Sequence, residues 1–176
     1  MKRLGLALAL IGLAAPEAAM AQQRACITAP EAEAMTLVAM PDILRETGRV
    51  CAARLPASSL IRGNGTLIAK YETAAEQAWP AARAAIVKLS DPTVDTLLQS
   101  DFARPLLTSL LVPFIVGRIG LEDCGVIDRL AMQLAPLPPR NMASVVVTAL
   151  QYLKSEKARG RQVAVPDLPL CPIGTR

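Results

Sequence analysis

Histidine is absent from this 176-residue chain, and that one absence removes several classes of chemistry. Without an imidazole there is no Ser-His-Asp or Cys-His nucleophile system, no histidine-ligated metal and no Cys-x-x-Cys-His haem attachment. Aromatic residues are almost as scarce, at one Trp, two Tyr and two Phe, too few to supply the ring platforms that sugar binding and base stacking favour. Cys26, Cys51, Cys124 and Cys171 stand 25, 73 and 47 residues apart, so the chain has no close cysteine pair of the kind that structural zinc sites use. No glycine-rich phosphate loop occurs, and Gly63-Asn64-Gly65 reads as a turn. The apolar–polar alternation of a half-buried strand is missing as well. No metal and no cofactor are expected.

Charge excludes a further class. The formal net charge of +4 is spread along the chain, except for a run at Lys154, Lys157, Arg159 and Arg161. A nucleic-acid binder would concentrate its basic residues in a stripe with aromatics or a known motif. This run reads instead as cations that complement the C-terminal dipole of a helix, and no nucleic-acid partner is expected.

What is present begins with an export signal. Lys2 and Arg3 precede an apolar run from Leu4 to Ala15, and Ala19-Met20-Ala21 supplies a small-x-small cleavage site. Residues 1–21 are therefore expected to be removed, with Gln22 first in the mature chain. At 12 residues, the run is far shorter than the roughly 20 that span a bilayer, so no stable membrane insertion is expected after cleavage. Gln22-Gln23-Arg24-Ala25 before Cys26 lacks the small and leucine residues of a lipidation site. An even set of cysteines in an exported chain implies two disulfides and a periplasmic location.

Residues 22–176 read as one all-α domain, an irregular bundle of about six helices with an extended tail over 160–176. Thr28-x-x-Glu31 forms a capping box. Pro41 either begins a second helix or kinks the first, since the stripe Met40, Ile43, Leu44, Thr47, Val50, Cys51 is helical. Over 66–89 a single apolar stripe keeps its phase across Pro80, which predicts one long kinked helix; Ala75, Trp79 and Ala82 should face a core, with Glu76 and Arg83 facing water. A short helix near 92–99 should follow, capped by Asp91 with Pro92 in its first turn. The segment 105–119 is apolar nearly all the way round and is expected in the middle of the bundle, where Leu110→Ala would cost about 2–5 kcal/mol. Helices over 122–135 and 141–159, joined by Pro136-x-Pro138-Pro139, should pack as an antiparallel hairpin, with Asn141 as N-cap and Gly160 as the stop.

Four cysteines allow three pairings. If Pro41 separates two antiparallel helices, Cys51 returns beside Cys26, and the hairpin 122–135/141–159 leaves Cys124 within reach of a tail that carries Cys171. The expected bridges are Cys26–Cys51 and Cys124–Cys171.

Few residues suggest chemistry. Glu72 and Glu76 lie four apart on one helical face, where they read as a solvated charged surface; Glu122-Asp123 offers another carboxylate pair. Arg118 and Glu122 could form an ion pair at a helix end, and both are weaker candidates for ligand binding. Met35, Met40, Met132 and Met142 could line an adaptable apolar groove but read first as core. The leading expectation is a non-catalytic protein that works through a protein partner, as an envelope accessory, inhibitor or immunity-type factor. A carrier of a lipid or other apolar molecule would need an internal cavity, and a carboxylate-dependent hydrolase would need two converging acids in a cleft.

Overall fold

Pro41 does not divide the first helix. In the computed structural model, which describes residues 25–63 and 65–172, α1 runs from Ala29 to Val50 with Pro41 buried inside it. The expected signal peptide and its cleavage site lie outside the described residues, as does Asn64. The capping box forms: the Thr28 N–H donates to the Glu31 carboxylate at 2.8 Å. Lys88 bridges to the same carboxylate at 2.6 Å. Burial pushes the Glu31 carboxyl up, but the bonds from Lys88 and Thr28 outweigh it and hold the group below its ordinary value.

Helix α2, Thr66–Leu89, continues through Pro80 as one element. It is antiparallel to α1, since the start of α1 meets the end of α2 at Glu31–Lys88 and the reverse ends meet at Arg45–Glu72. Ala75, Ala78, Ala82 and Ala85 are buried, and these small side chains let the two backbones pack closely. Trp79 is half-buried and Glu76 exposed. Arg83 does not face open water; it is half-buried and pairs with Asp95 at 2.7 Å. Asp95 belongs to α3, Val94–Leu98, whose approach is held by Asp91 accepting the Thr93 N–H at 2.9 Å.

Three further helices complete the bundle: α4 Ala103–Val116, α5 Cys124–Leu134 and α6 Pro139–Ala158. The helix at the centre is α1, which packs against α2, α6 and α4 in decreasing extent. Helix α6 starts before Asn141, with Pro138 as its cap and Pro139 in its first turn, where a missing amide costs nothing. It ends at Gly160, whose φ is +84°. The Gly160 and Arg161 amides donate back to the Lys157 and Glu156 carbonyls at 3.0 and 3.1 Å, the paired closure that a left-handed glycine permits.

The expected α5–α6 hairpin does not form: α5 lies along no other helix for any length. Lys70 explains the geometry of the link. Its ammonium takes the carbonyls of Ala135 and Leu137 at 2.8 and 2.5 Å, so the proline connector is seated on α2 and α6 runs back over α1.

The disulfides also differ from expectation. Cys26 bonds Cys171 and Cys51 bonds Cys124, with Cα separations of 4.9 and 5.5 Å. Neither Cys26–Cys51 nor Cys124–Cys171 forms, and the continuity of α1 is the reason. With Cys26 and Cys51 at opposite ends of one helix, a rise of 1.5 Å per residue separates them by about 37 Å, whereas a disulfide needs Cα atoms within about 7 Å. The tail instead returns to the start of the chain. Ile27 and Leu170 form a parallel bridge, with Ile27 N–H to Pro169 O at 2.7 Å and Cys171 N–H to Ile27 O at 2.8 Å. Ile27 and Leu170 are buried with Ala32 and Val147 in a small second core.

The outward face of helix α4 as the candidate functional site

Helix α4 turns only a narrow stripe inward. Ala103, Thr108, Val112 and Val116 are buried, the last three at i, i+4, i+8 as one face of a helix requires. Thr108 satisfies its hydroxyl by donating to the Pro105 carbonyl at 3.2 Å. Most of the other side chains are apolar and face out: Phe102, the N-cap, is 81 % exposed, Leu106 61 %, Leu110 59 % and Phe114 75 %. Leu111 and Ile115 widen the face and are also exposed. The expectation that this segment occupies the middle of the bundle is therefore overturned. A helix apolar on all sides satisfies the same pattern whether its neighbours are in its own chain or elsewhere.

An energetic consequence follows. Each large apolar side chain left in water forgoes about 1.5–3 kcal/mol of burial, and contiguous exposed apolar surface of this kind marks an interaction site in natural proteins. Leu110→Ala should accordingly cost less than about 1 kcal/mol, as surface substitutions do, and not the 2–5 kcal/mol of a core position. Denaturant unfolding of the oxidised protein checks this, and a loss above 2 kcal/mol would mean that Leu110 is covered within the folded chain.

No charged residue lies between Arg104 and Arg118. Arg104 is directed away from the apolar face by its 2.5 Å pair with Glu76 of α2. Arg118 is exposed and has no ion-pair partner among the described residues. The expected pair with Glu122 needs the helix to run on, but α4 ends at Val116 and caps at Gly117. Asp123, not Glu122, closes the following turn, by accepting the Gly120 N–H at 3.0 Å.

The other candidates disperse. Glu72 pairs with Arg45 and Glu76 with Arg104, so these carboxylates sit on a solvated surface with separate arginines and do not converge in a cleft. Met40 is buried and Met35 and Met142 pack against the main core, whereas Met132 lies exposed on α5; the four do not line one groove. A trough of about 780 Å³ lined by Leu37, Lys70, Ala74, Ala78 and Pro139 opens to solvent. A second depression of 610 Å³ between α1 and α4 is edged by Asp42, Arg45, Glu46 and Arg104, a charged rim unsuited to an apolar cargo.

Two buried acids have structural partners. Asp128 accepts the Ser59 hydroxyl at 2.5 Å, which fastens the segment that follows α1 to α5 one turn beyond Cys124. Glu156 pairs with Arg159 and Arg161 at 2.8 and 2.7 Å, and so absorbs half of the basic run that the sequence displays. Among the described residues no cluster of three or more His, Cys, Asp or Glu could hold a metal, and no helix is long and apolar enough to cross a membrane.

The sequence pattern gave the composition of this face but not its orientation. The helix's two hydroxyls do not distinguish the faces, since buried Thr108 donates to the Pro105 carbonyl and exposed Ser109 to that of Leu106. Compared with family models, curated proteins and solved structures, the chain matches none.

Proposed function

We propose that this is an exported, non-catalytic helical protein of the bacterial periplasm, an envelope accessory, inhibitor or immunity-type factor whose outward α4 face docks a protein partner. The observation that carries this reading is the uncovered row Phe102, Leu106, Leu110 and Phe114 on a helix anchored by a buried stripe. Interface cores are enriched in such apolar and aromatic side chains and depleted of charge. Two closed disulfides suit an oxidising compartment, and the basic–apolar–small pattern of residues 1–21 supports delivery to it.

The test is site-specific photocrosslinking in the exporting cell. A crosslinker at Leu110 should give discrete protein adducts, while one at exposed Lys157 on α6 should not. Leu106→Glu with Phe114→Glu should reduce adduct yield at least about tenfold, as placing charge in an interface core does, with the helical circular dichroism unchanged. Absence of adducts at Leu110, or adducts that persist in the charged variant, overturns the reading.

A further inference from the structure

We infer that Cys26–Cys171 is a reducible latch on the C-terminal strap of residues 162–171, opened by a dithiol reductant while Cys51–Cys124 stays closed and the helices stay folded. Its basis is the unequal enclosure of the two disulfides. Cys51 and Cys124 are both 0 % exposed and lie in the main core with Leu55 and Ile61. A thiolate reaches them only when that core opens, which is global unfolding. Cys26 is half-buried and precedes α1, and Cys171 is 8 % exposed on the strap. Reaching this bond needs only a local opening of the chain ends.

Few other contacts seat the strap. Val165 and Leu170 are its buried side chains besides Cys171. Two backbone bonds join it to Ile27, and the Lys154 ammonium takes the Leu168 carbonyl. Pro166 and Pro169 offer no amide to extend this pairing. Without the disulfide, these contacts alone must offset the entropy of ordering the segment, and a chain end so thinly tied frays. Helix α6 is not drawn along, because its closing bond from the Arg161 amide and the 2.7 Å pair of Arg161 with Glu156 lie before the strap. As the strap leaves, Leu170 withdraws from Ala32 of α1 and Val147 of α6, with which it is buried, and a small apolar patch is uncovered between those helices.

The step is thiol–disulfide exchange. A thiolate of the dithiol attacks Sγ of Cys26, forming a mixed disulfide, and the electron pair of the broken bond leaves on Sγ of Cys171. The second thiolate of the reductant then attacks its own sulfur in the mixed disulfide and releases Cys26. Two electrons pass from the dithiol to the cystine, the reductant ends as a disulfide, and its two protons finish on the thiols of Cys26 and Cys171.

Timed reduction of the exported, oxidised protein with dithiothreitol, quenched by iodoacetamide and read by peptide mapping, tests the selectivity. Cys26 and Cys171 should be alkylated at least about tenfold faster than Cys51 and Cys124, since local openings outnumber global ones. Amide hydrogen exchange on the protein with only Cys26–Cys171 reduced tests the strap. Exchange over 162–171 should quicken at least about tenfold, while α2 and α6 keep their protection. Cys26→Ala with Cys171→Ala should show the same pattern without reductant, and glutathione disulfide should re-form the parent bond and restore the protection. Reduction of both bridges together, earlier reduction of Cys51–Cys124, or a strap that stays protected after reduction overturns the inference. So does a loss of protection in α2 and α6 along with the strap, or reoxidation that does not return Cys26–Cys171.

Discussion

Gly48→Ala is expected to destabilise the protein by about 3 kcal/mol or more, the upper part of the range for overpacking, although it places a better helix former inside a helix. Propensity alone would favour the change by about 1 kcal/mol. Space decides the sign. A Cβ at Gly48 would lie 1.8 Å from the carbonyl oxygen of Ile61 and 2.9 Å from its carbon, and these are backbone atoms that no rotamer change can move aside. The loop that carries Ile61 cannot easily retreat. It is tied to α5 by Cys51–Cys124 at one end and by Ser59–Asp128 near its middle, and Ile61 is itself fully buried. Either α1 bends or the loop gives up its place in the core. Gly125→Ala is the control, because a Cβ there meets nothing within 4 Å and α5 should gain up to about 1 kcal/mol. Chemical unfolding of both variants reads the difference. A stabilised Gly48→Ala protein would show that the loop does not cross α1 at this contact.

Helix content was legible because apolar spacing survives wherever one face is buried. The stripe through Ala75, Ala78, Ala82 and Ala85 keeps its phase across Pro80, and the helix is continuous there. The same signal runs across Pro41, where Ala34, Leu37, Val38, Pro41 and Gly48 fall on one buried face. Phase across a proline thus separates a kink from a break, and at Pro41 it also decides the disulfides. The site was harder to see. Phe102 to Ile115 supplies apolar residues on every side, and periodicity reports which residues avoid water but not which chain covers them. Arg118 could be singled out by its position after an apolar helix, but its separation from Glu122 emerges only when α4 has a defined end at Val116. Gly48 carries no sequence signal beyond being a glycine within a helical pattern. Its role depends on a loop that crosses α1 through contacts far apart in the chain.

Removing Cys51–Cys124 is expected to cost more than removing Cys26–Cys171, even though it closes the shorter loop. On chain entropy alone the order is the reverse: the sequence separations are 73 and 145 residues, and the stabilisation rises slowly with loop length within a range of about 2–5 kcal/mol. Packing reverses it. Cys51 and Cys124 are wholly buried within the main core beside Leu55 and Ile61, and their bond fixes both the end of α1 and the start of α5. Helix α5 lies along no other helix, and its further ties to the fold are Ile127 and Ala131 packed on the main core and the Ser59–Asp128 hydrogen bond. Cutting this bridge loosens the start of α5 and the loop held against Gly48. Cutting Cys26–Cys171 releases the two ends of the fold, where Ile27, Leu170, Ala32 and Val147 form a small satellite cluster. Cys51→Ala with Cys124→Ala should therefore lower the unfolding free energy by about 4–5 kcal/mol, and Cys26→Ala with Cys171→Ala by about 2–4 kcal/mol. Non-reducing peptide mapping of the parent should first recover the Cys26–Cys171 and Cys51–Cys124 peptides. A Cys26–Cys51 peptide would mean that α1 is broken at Pro41. A greater loss from the terminal pair would mean that loop entropy, and not the packing of α5, sets the stability of this bundle.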